Sequence, residues 1–362
     1  MRDPLELKAW VAGVLAAQPN DGALTGLQVP ASPGFGFDLI AGDASPRKYY
    51  RIAWPSVEGG AAKSLMAVDA PRSEKTPEFL HIRGLFETAG VRVPKLIAAD
   101  PDAGFLLLED LGDDTLLPIL NERSVAPWYA AALKTLGRLG DIPITSAGLV
   151  HYDGSKLQAE MDLFRHWFVP QLLGLPWSEK LDSVFSGLCS HLIDSASEQP
   201  QIVVHRDFHS RNLMVLENGA LAVIDFQDAV VGPVTYDPVS LLKDCYVQWS
   251  RQQQMSWLFE HKRQLIGHQR MPPVDDATFL RWFDLMGLQR HLKVLGIFAR
   301  LCLRDGKSAY LDDLPLVLAY VLEALQLYAP TSSAVADFEA VFHYDVLPTC
   351  TMQPWYQQAA TS

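Results

Sequence analysis

No apolar run in the 362-residue chain reaches the roughly 20 residues that a helix needs to cross a bilayer. The N-terminal stretch MRDPLELKAWVAGVLAAQ also lacks the unbroken apolar core of a secretory signal. Asp3, Glu6 and Lys8 interrupt it, and its alternation predicts an amphipathic helix. Cysteine is scarce. Cys189, Cys245, Cys302 and Cys350 stand far apart with no metal-ligand spacing, and a chain of this length needs no disulfide staples. Four reduced thiols in a cytoplasmic protein are expected. Positive charge is in deficit too, with 30 Lys and Arg against 42 Asp and Glu and a net charge of −12. That balance excludes bulk attraction to nucleic acid or to an anionic membrane, and leaves room for a local basic pocket. The chain has no internal repeat and no low-complexity tract, and its pattern specifies no oligomeric state.

What is present is the composition of a folded chain, 49% apolar and 20% charged, and too long for one comfortable core. Residues 35–112 read as β-rich. FGFDLI, GDASPRKYYRIAW and KSLMAVDAP are short apolar or alternating runs broken by turn residues, as in an antiparallel sheet. EFLHIRGLFETAGV places Phe79, Ile82, Leu85 and Phe86 at helical spacing, with Gly90 as the stop. VPKLIAADPDAGFLLLEDLG then predicts two strands around Asp100-Pro101-Asp102. Beyond Asp113 the pattern becomes helical, interrupted by one short β insertion at 201–226.

The densest polar signal is VVHRDFHSRNLMVLENGALAVIDFQ, residues 203–227. An apolar run ends at Val204 and a polar loop follows from His205 to Asn212. Leu213–Leu216 and Leu221–Ile224 are expected to pair across Glu217-Asn218-Gly219, because Asn-Gly between apolar runs is a strong hairpin cue. The hairpin would return Asp225 toward Asn212, so that Asp207, Asn212 and Asp225 converge. A carboxylate at the start of such a loop can orient an attacking hydroxyl and take its proton. An amide oxygen and a second carboxylate are hard ligands suited to a magnesium ion that bridges phosphates. The competing reading of the same residues is a buried polar loop with a helix-capping Asp.

His205-Arg206-Asp207-Phe208-His209-Ser210-Arg211-Asn212 resembles the kinase catalytic loop H-R-D-x-x-x-x-N, and Asp225-Phe226-Gln227 stands where protein kinases carry Asp-Phe-Gly. His209 and Gln227 make the chain more similar to the aminoglycoside phosphotransferase and choline kinase family. The resemblance implies an α+β, bilobal protein-kinase-like fold. Residues 1–112 would form a small antiparallel-sheet N-lobe that binds nucleotide, and residues 113–362 a larger, mainly helical C-lobe with the catalytic loop and the sugar site. It implies ATP and Mg²⁺ as cofactors, Asp207 as the catalytic base, and Asn212 and Asp225 as magnesium ligands.

Gly42-Asp43-Ala44-Ser45 resembles the hairpin loop whose N–H groups and hydroxyl meet phosphate oxygens. Phe105–Gly112 resembles a last strand running into an inter-lobe hinge, where backbone groups of Glu109 and Leu111 pair with the adenine edge. An ordinary buried strand and turn fits that segment as well. There is one departure from the protein-kinase pattern. Leu65-Met66-Ala67-Val68-Asp69-Ala70 has no lysine where protein kinases use one to hold the phosphates. Lys63, Arg47, Lys48 and Arg51 are the candidate replacements, and the partner glutamate is unassigned, with Glu78 only a guess. A non-catalytic nucleotide-binding scaffold is therefore a second reading, against which stand the intact Asp207, Asn212 and Asp225.

GDASPRKYYR, LMAVDAP, GFLLLEDLG, HRDFHSRNLM, VIDFQDAVVGPVTYDPVSLLKD and LQRHLKVLGIFARL together span nearly the whole chain. They resemble the branch of bacterial N-acetylmuramate/N-acetylglucosamine kinases of cell-wall recycling, which phosphorylate the anomeric hydroxyl of the free amino sugar. That branch carries Asp-Ala-Pro where protein kinases carry the lysine. N-acetylmuramate has a carboxylate and calls for a cation, whereas a polycationic aminoglycoside calls for acidic side chains. Arg206, Arg211, Arg290, His291 and Lys293 supply positive charge. Asp228, Tyr236 and Asp237 can bond sugar hydroxyls or brace the loop. Arg206 can equally be a brace, Asp237 a cap for the helix starting at Pro238, and Arg290 part of a solvated helix face. Three functions stay open at this stage: an amino-sugar anomeric kinase, a kinase of an aminoglycoside, choline-like or other hydroxyl substrate, and a nucleotide-binding pseudokinase.

Overall fold

Strand alternation and two short helices build the first part of the molecule. The structure is a computed structural model that describes residues 4–17, 35–40, 46–54, 63–71 and 74–359. The chain divides into two compact units, one of residues 1–115 with 213–227, the other of residues 116–212 with 228–362.

The first unit carries a five-stranded antiparallel sheet in the order β1-β2-β3-β5-β4. Its strands are β1 (Gly36–Ile40), β2 (Lys48–Trp54), β3 (Lys63–Asp69), β4 (Leu96–Asp100) and β5 (Phe105–Glu109). On β2, Tyr50, Ile52 and Trp54 are buried two residues apart, so they line one face. Helix α1 (Pro4–Ala17) covers that face with Leu7, Val11 and Leu15, spaced four apart. The predicted amphipathic helix and three N-terminal strands are therefore present. Helix α2 (Thr76–Thr88) buries Phe79, Ile82 and Phe86. It stops before Gly90, whose φ of 75° lies in the left-handed region that glycine tolerates.

The hairpin of β7 (Leu213–Val215) and β8 (Leu221–Val223) belongs to this first unit. Leu213 pairs with Val223 and Val215 with Leu221, across the predicted Asn-Gly turn. Val215 donates to the Asp114 carbonyl (2.8 Å) and Val223 to the Arg92 carbonyl (2.7 Å). Phe226, fully buried, then packs on Phe79 and Phe86 with ring centroids 4.9 and 5.7 Å away.

The second unit is mainly helical. The β insertion runs further than residue 226, because β6 (Gln201–Val204) pairs with a strand absent from the sequence reading, β9 (Val230–Pro233). Helices α3 (Val125–Leu139), α4 (Gly154–Leu163), α5 (Glu179–Ser197), α6 (Tyr236–Leu242) and α7 (Arg251–Gly267) surround the 30-residue α8 (Asp276–Asp305), followed by α9 (Leu314–Tyr328). Between Trp282 and Ala299 nearly every α8 side chain is buried, polar ones included. Four unpaired thiols remain, three of them buried in the core. No helix among the described residues is long and apolar enough to cross a membrane.

Close approach of two backbones fixes the centre of this unit. A Cβ placed on Gly296 of α8 would lie 2.2 Å from the Leu163 carbonyl carbon and 2.5 Å from the Phe164 nitrogen. Backbone atoms leave no rotamer by which to yield. Gly296→Ala should therefore cost about 1–3 kcal/mol or more by overpacking, seen as a lower Tm in thermal denaturation. A variant that melts with the wild type would show that α8 can move off α4 without cost.

Candidate active site

The second unit holds the polar loop 205–212 at both ends. Asp237, at the start of α6 and 2% exposed, accepts the backbone N–H of His205 (2.6 Å) and of Arg206 (2.9 Å). Asp244 accepts both the N–H (3.0 Å) and the hydroxyl (2.6 Å) of Ser210. Inside the loop, His209 donates to the Asp207 carbonyl, and the Asn212 side-chain amide does the same at 2.9 Å. Phe208 anchors the loop in the core.

Arg206 adopts a φ of 76°, a conformation that a long side chain rarely takes and that its surroundings must impose. Its N–H goes to Asp237, its carbonyl accepts Arg290 Nη1 (2.7 Å), and its guanidinium bonds Glu160 of α4 and the Asp228 carbonyl. Glu160 also accepts from the Tyr152 hydroxyl and from Lys293 Nζ (3.0 Å). Arg290 and Lys293 of α8 both reach the Tyr236 hydroxyl, at 3.2 and 3.1 Å. Arg290 Nη2 lies 3.5 Å from Asp207 Oδ1.

These charges set the state of the two carboxylates. Asp207 lies deep in the unit yet keeps 40% of its side-chain surface open. Depth alone would favour its neutral form. Lys293 and then Arg290, with His209 and Arg206 behind them, outweigh that and hold the carboxyl well below its usual range. The neighbouring cations therefore favour the ionised, hydrogen-bond-accepting form of Asp207. Asp237 moves the other way. Burial pushes it up to about 7, although the N–H groups of His205 and Arg206 and the charge of Arg290 oppose the shift.

The remaining expected residues are placed as follows. Arg211 is exposed, its guanidinium 3.6 Å from the centre of the Tyr246 ring. Asp228 is exposed. His291 is 1% exposed, stacks on Tyr320 with centroids 4.8 Å apart, and meets the Lys243 carbonyl through Nε2 (3.1 Å). Tyr236 and Asp237 are interior and occupied with bracing the loop. Sequence reasoning missed Glu160, Tyr152 and Asp244 as braces.

The first unit carries the other candidates. Gly42, Asp43, Ala44 and Ser45 lie outside the described residues. The Glu109 N–H is donated to the Lys95 carbonyl (2.9 Å), and its carboxylate pairs with Arg92 at 2.5 Å. Leu111 is half-buried just beyond β5. Asp225 is exposed at a φ of 62°, with Oδ1 accepting from Gln227 Nε2 (2.7 Å). Arg47 is buried, its guanidinium 5.3 Å from the Phe79 ring centre and its Nε 3.7 Å from Glu74 Oε2. Tyr49, raised chiefly by burial, feels Arg47, Asp225 and Glu74 together, which places the four in one neighbourhood. Arg51 is taken by Asp110 (2.6 Å) and Asp113 (2.8 Å).

Each unit carries an oxygen donor of the kind that suits a hard divalent cation. Asn212 gives its amide N–H to Asp207, which leaves Oδ1 as the atom it can offer a ligand, and Asp225 presents an exposed carboxylate. Among the described residues no three His, Cys, Asp or Glu side chains form a group able to hold a metal alone. Magnesium needs no such cage, since water and phosphate fill most of its shell.

A sheet-bearing unit, a helical unit and a braced loop with an ionised aspartate define a phosphotransferase, and the chain belongs to the phosphotransferase enzyme family (APH), whose sequence profile matches residues 37–274. It is 40% identical, over 81% of its own length and 84% of the other, to the N-acetylmuramate/N-acetylglucosamine kinase of Pseudomonas putida. It is 37% identical to the protein of the same name from Neisseria meningitidis serogroup B, over 81% of this chain and 87% of that one. Among solved structures, a choline kinase from Cryptosporidium parvum Iowa II superposes with a TM-score of 0.59 at 10% identity, covering 92% of this chain and 98% of that one. The ADP-bound aminoglycoside phosphotransferase APH(2'')-Ib gives 0.52 at 13% identity, over 80% and 94%. The fold is thus the protein-kinase-like α+β fold implied by the catalytic-loop motif.

Two buried imidazoles make stability depend on pH. Burial lowers His291 to about 3 and His261 to about 4. In the unfolded chain both titrate near 6.5. Below that pH the unfolded state binds more protons than the native one, so stability present above about 6.5 is lost as pH falls toward these folded-state values. Tm should decline between pH 7 and 4.5, and decline less in His261→Gln. An identical pH slope in the variant would mean that His261 is not held neutral in the native protein.

Proposed function

We propose that this chain transfers the γ-phosphoryl group of ATP to the anomeric hydroxyl of N-acetylmuramate and N-acetylglucosamine, as a cytoplasmic enzyme of peptidoglycan recycling. The observation that carries the reading is Asp207, kept ionised on a loop tied at both ends, in a chain 37–40% identical to kinases named for these two sugars.

Asp207 accepts a hydrogen bond from the attacking hydroxyl and aims it. Because Lys293 and Arg290 hold its carboxyl low, it is a weak base, and the proton moves late. That suits a loose transition state, in which alignment and charge neutralisation do most of the work. It also suits an anomeric hydroxyl, which is more acidic than an ordinary alcohol. Asn212, through Oδ1, and Asp225 would hold magnesium, which would supply positive charge to offset that developing in phosphoryl transfer. Glu109 and Leu111 line the adenine, and the Gly42-Asp43-Ala44-Ser45 sequence is the candidate phosphate-binding motif. Arg211 and Asp228, both exposed, face the sugar, while Arg206, Tyr236, Asp237 and Arg290 hold the loop on which Asp207 rides.

Arg47 takes the place of the missing lysine. Lys48 falls on the alternate face of β2 with Tyr50, Ile52 and Trp54, and Arg51 is bound by two carboxylates. Arg47 lies with Glu74 and in the neighbourhood of Asp225, where a phosphate-holding cation is needed.

Purified protein with magnesium and ATP should release ADP in response to either amino sugar, not kanamycin, and yield an acid-labile product. Kanamycin turnover alone, or no turnover despite tight ATP binding, would overturn the assignment. Asp207→Asn should bind ATP normally while turnover drops by about 10²–10⁴-fold. Near-wild-type turnover would remove Asp207 from this role. Arg47→Ala should raise the KM for ATP by about tenfold or more, as expected for a lost charged hydrogen bond, with the sugar KM unchanged and partial recovery in Arg47→Lys. A KM for ATP equal to wild type would exclude Arg47 from the phosphates.

A further inference from the structure

The far end of the catalytic loop rests on the turn between α6 and α7. Asp244 of that turn accepts the Ser210 N–H and hydroxyl through Oδ2, and through Oδ1 it accepts the Tyr246 N–H at 3.2 Å. Tyr246 is half-buried, and its ring stacks on Phe298 of α8 with centroids 6.4 Å apart. His209 meets the same ring edge-on, with centroids 5.4 Å apart and planes at 76°. The Arg211 guanidinium lies 3.6 Å from the ring centre, a cation–π contact. Asp244 and Tyr246 thus engage three consecutive loop residues, His209, Ser210 and Arg211.

Asn212 follows directly and depends on them. Its backbone N–H donates to the His209 carbonyl at 2.9 Å. Its side-chain Nδ2 donates to the Asp207 carbonyl at 2.9 Å and lies 3.4 Å from His209 Nε2. A carbonyl oxygen only accepts, and an unprotonated imidazole nitrogen accepts as well. Two acceptors on one side call for the NH₂ end of the amide there and leave Oδ1 for a cation. The two ends of an amide have nearly the same shape, so the chemistry of the neighbours decides which end faces which way. The His209 ring is one of those neighbours, and Tyr246 sets its plane.

We propose that Tyr246 is a positioning residue for the magnesium site: by fixing the His209 ring it keeps the Asn212 amide turned with Nδ2 into the loop and Oδ1 toward the cation. The inference rests on the reading above in which Asn212 would hold magnesium. Calorimetric titration with ATP, in the absence of sugar, would compare wild type, Tyr246→Phe, Tyr246→Met and His209→Leu, each with and without magnesium and with Tm measured alongside. The quantity read is the factor by which magnesium strengthens ATP binding. Tyr246→Phe keeps the ring and should match the wild type. Tyr246→Met fills the space without a ring and should cut the factor about tenfold, the lower end of what losing an outer-shell partner costs a metal ligand, while metal-free ATP binding stays as it was. His209→Leu should show the same loss, and adding Tyr246→Met to it should cost nothing more, because both act through one amide. Tyr246→Leu takes the place of Tyr246→Met if that variant does not fold. A factor equal to wild type in the ring-less variant, or ATP binding weakened alike with and without magnesium, would overturn the role of Tyr246 alone. A wild type in which magnesium adds nothing to ATP binding would overturn the magnesium assignment of Asn212 and this inference with it.

Discussion

Asp237 accepts the backbone N–H groups of two consecutive loop residues, His205 and Arg206, and the geometry of the catalytic loop hangs on those two bonds. A buried carboxylate is costly to keep ionised, and here burial has moved its pKa to about 7. The cost is borne where it fixes backbone direction: Arg206 is forced to a positive φ, and the next residue, Asp207, takes its aim from there. Phe208 in the core and Asp244 on Ser210 fix the rest of the loop. Asp207 itself needs no partner of its own kind to stay in register.

Around that brace the charges are arranged in compensating sets. Glu160 lies between Arg206 and Lys293, and Arg290 lies between the Arg206 carbonyl, Tyr236 and Asp207. Three cations thus crowd a loop that carries one working carboxylate, and Glu160 offsets part of the excess. The surplus keeps Asp207 anionic without making it a strong base. In the proposed role, such a site would orient a nucleophile rather than strip it, which is the economical solution when the transferred group carries most of the reaction's charge.

Much of this was legible in the sequence because it depends on local pattern. The alternation in β2, the spacing of Phe79, Ile82 and Phe86, the Asn218-Gly219 turn and the bounds of the loop from His205 to Asn212 all follow from neighbours along the chain. What escaped depends on distant partners. Strand β9 is four residues inside a longer apolar run, and only its pairing with β6 distinguishes it. Glu160 and Asp244 look like solvated acids until Arg206, Lys293 and Ser210 are brought to them. Helix α8 is buried nearly all round from Trp282 to Ala299, so no amphipathic stripe tells which of Arg290, His291 and Lys293 faces the loop.

The order in which the ribosome delivers the first unit follows from its discontinuity. The sheet and α2 are complete by residue 115, but Phe226, which seals Phe79 and Phe86, arrives with the hairpin at 213–227. At about 5–20 residues per second, roughly a hundred intervening residues impose a wait on the order of 5–20 s. During that wait the apolar face of α2 lacks its final cover. The first unit therefore cannot complete its core until residue 227 has been made.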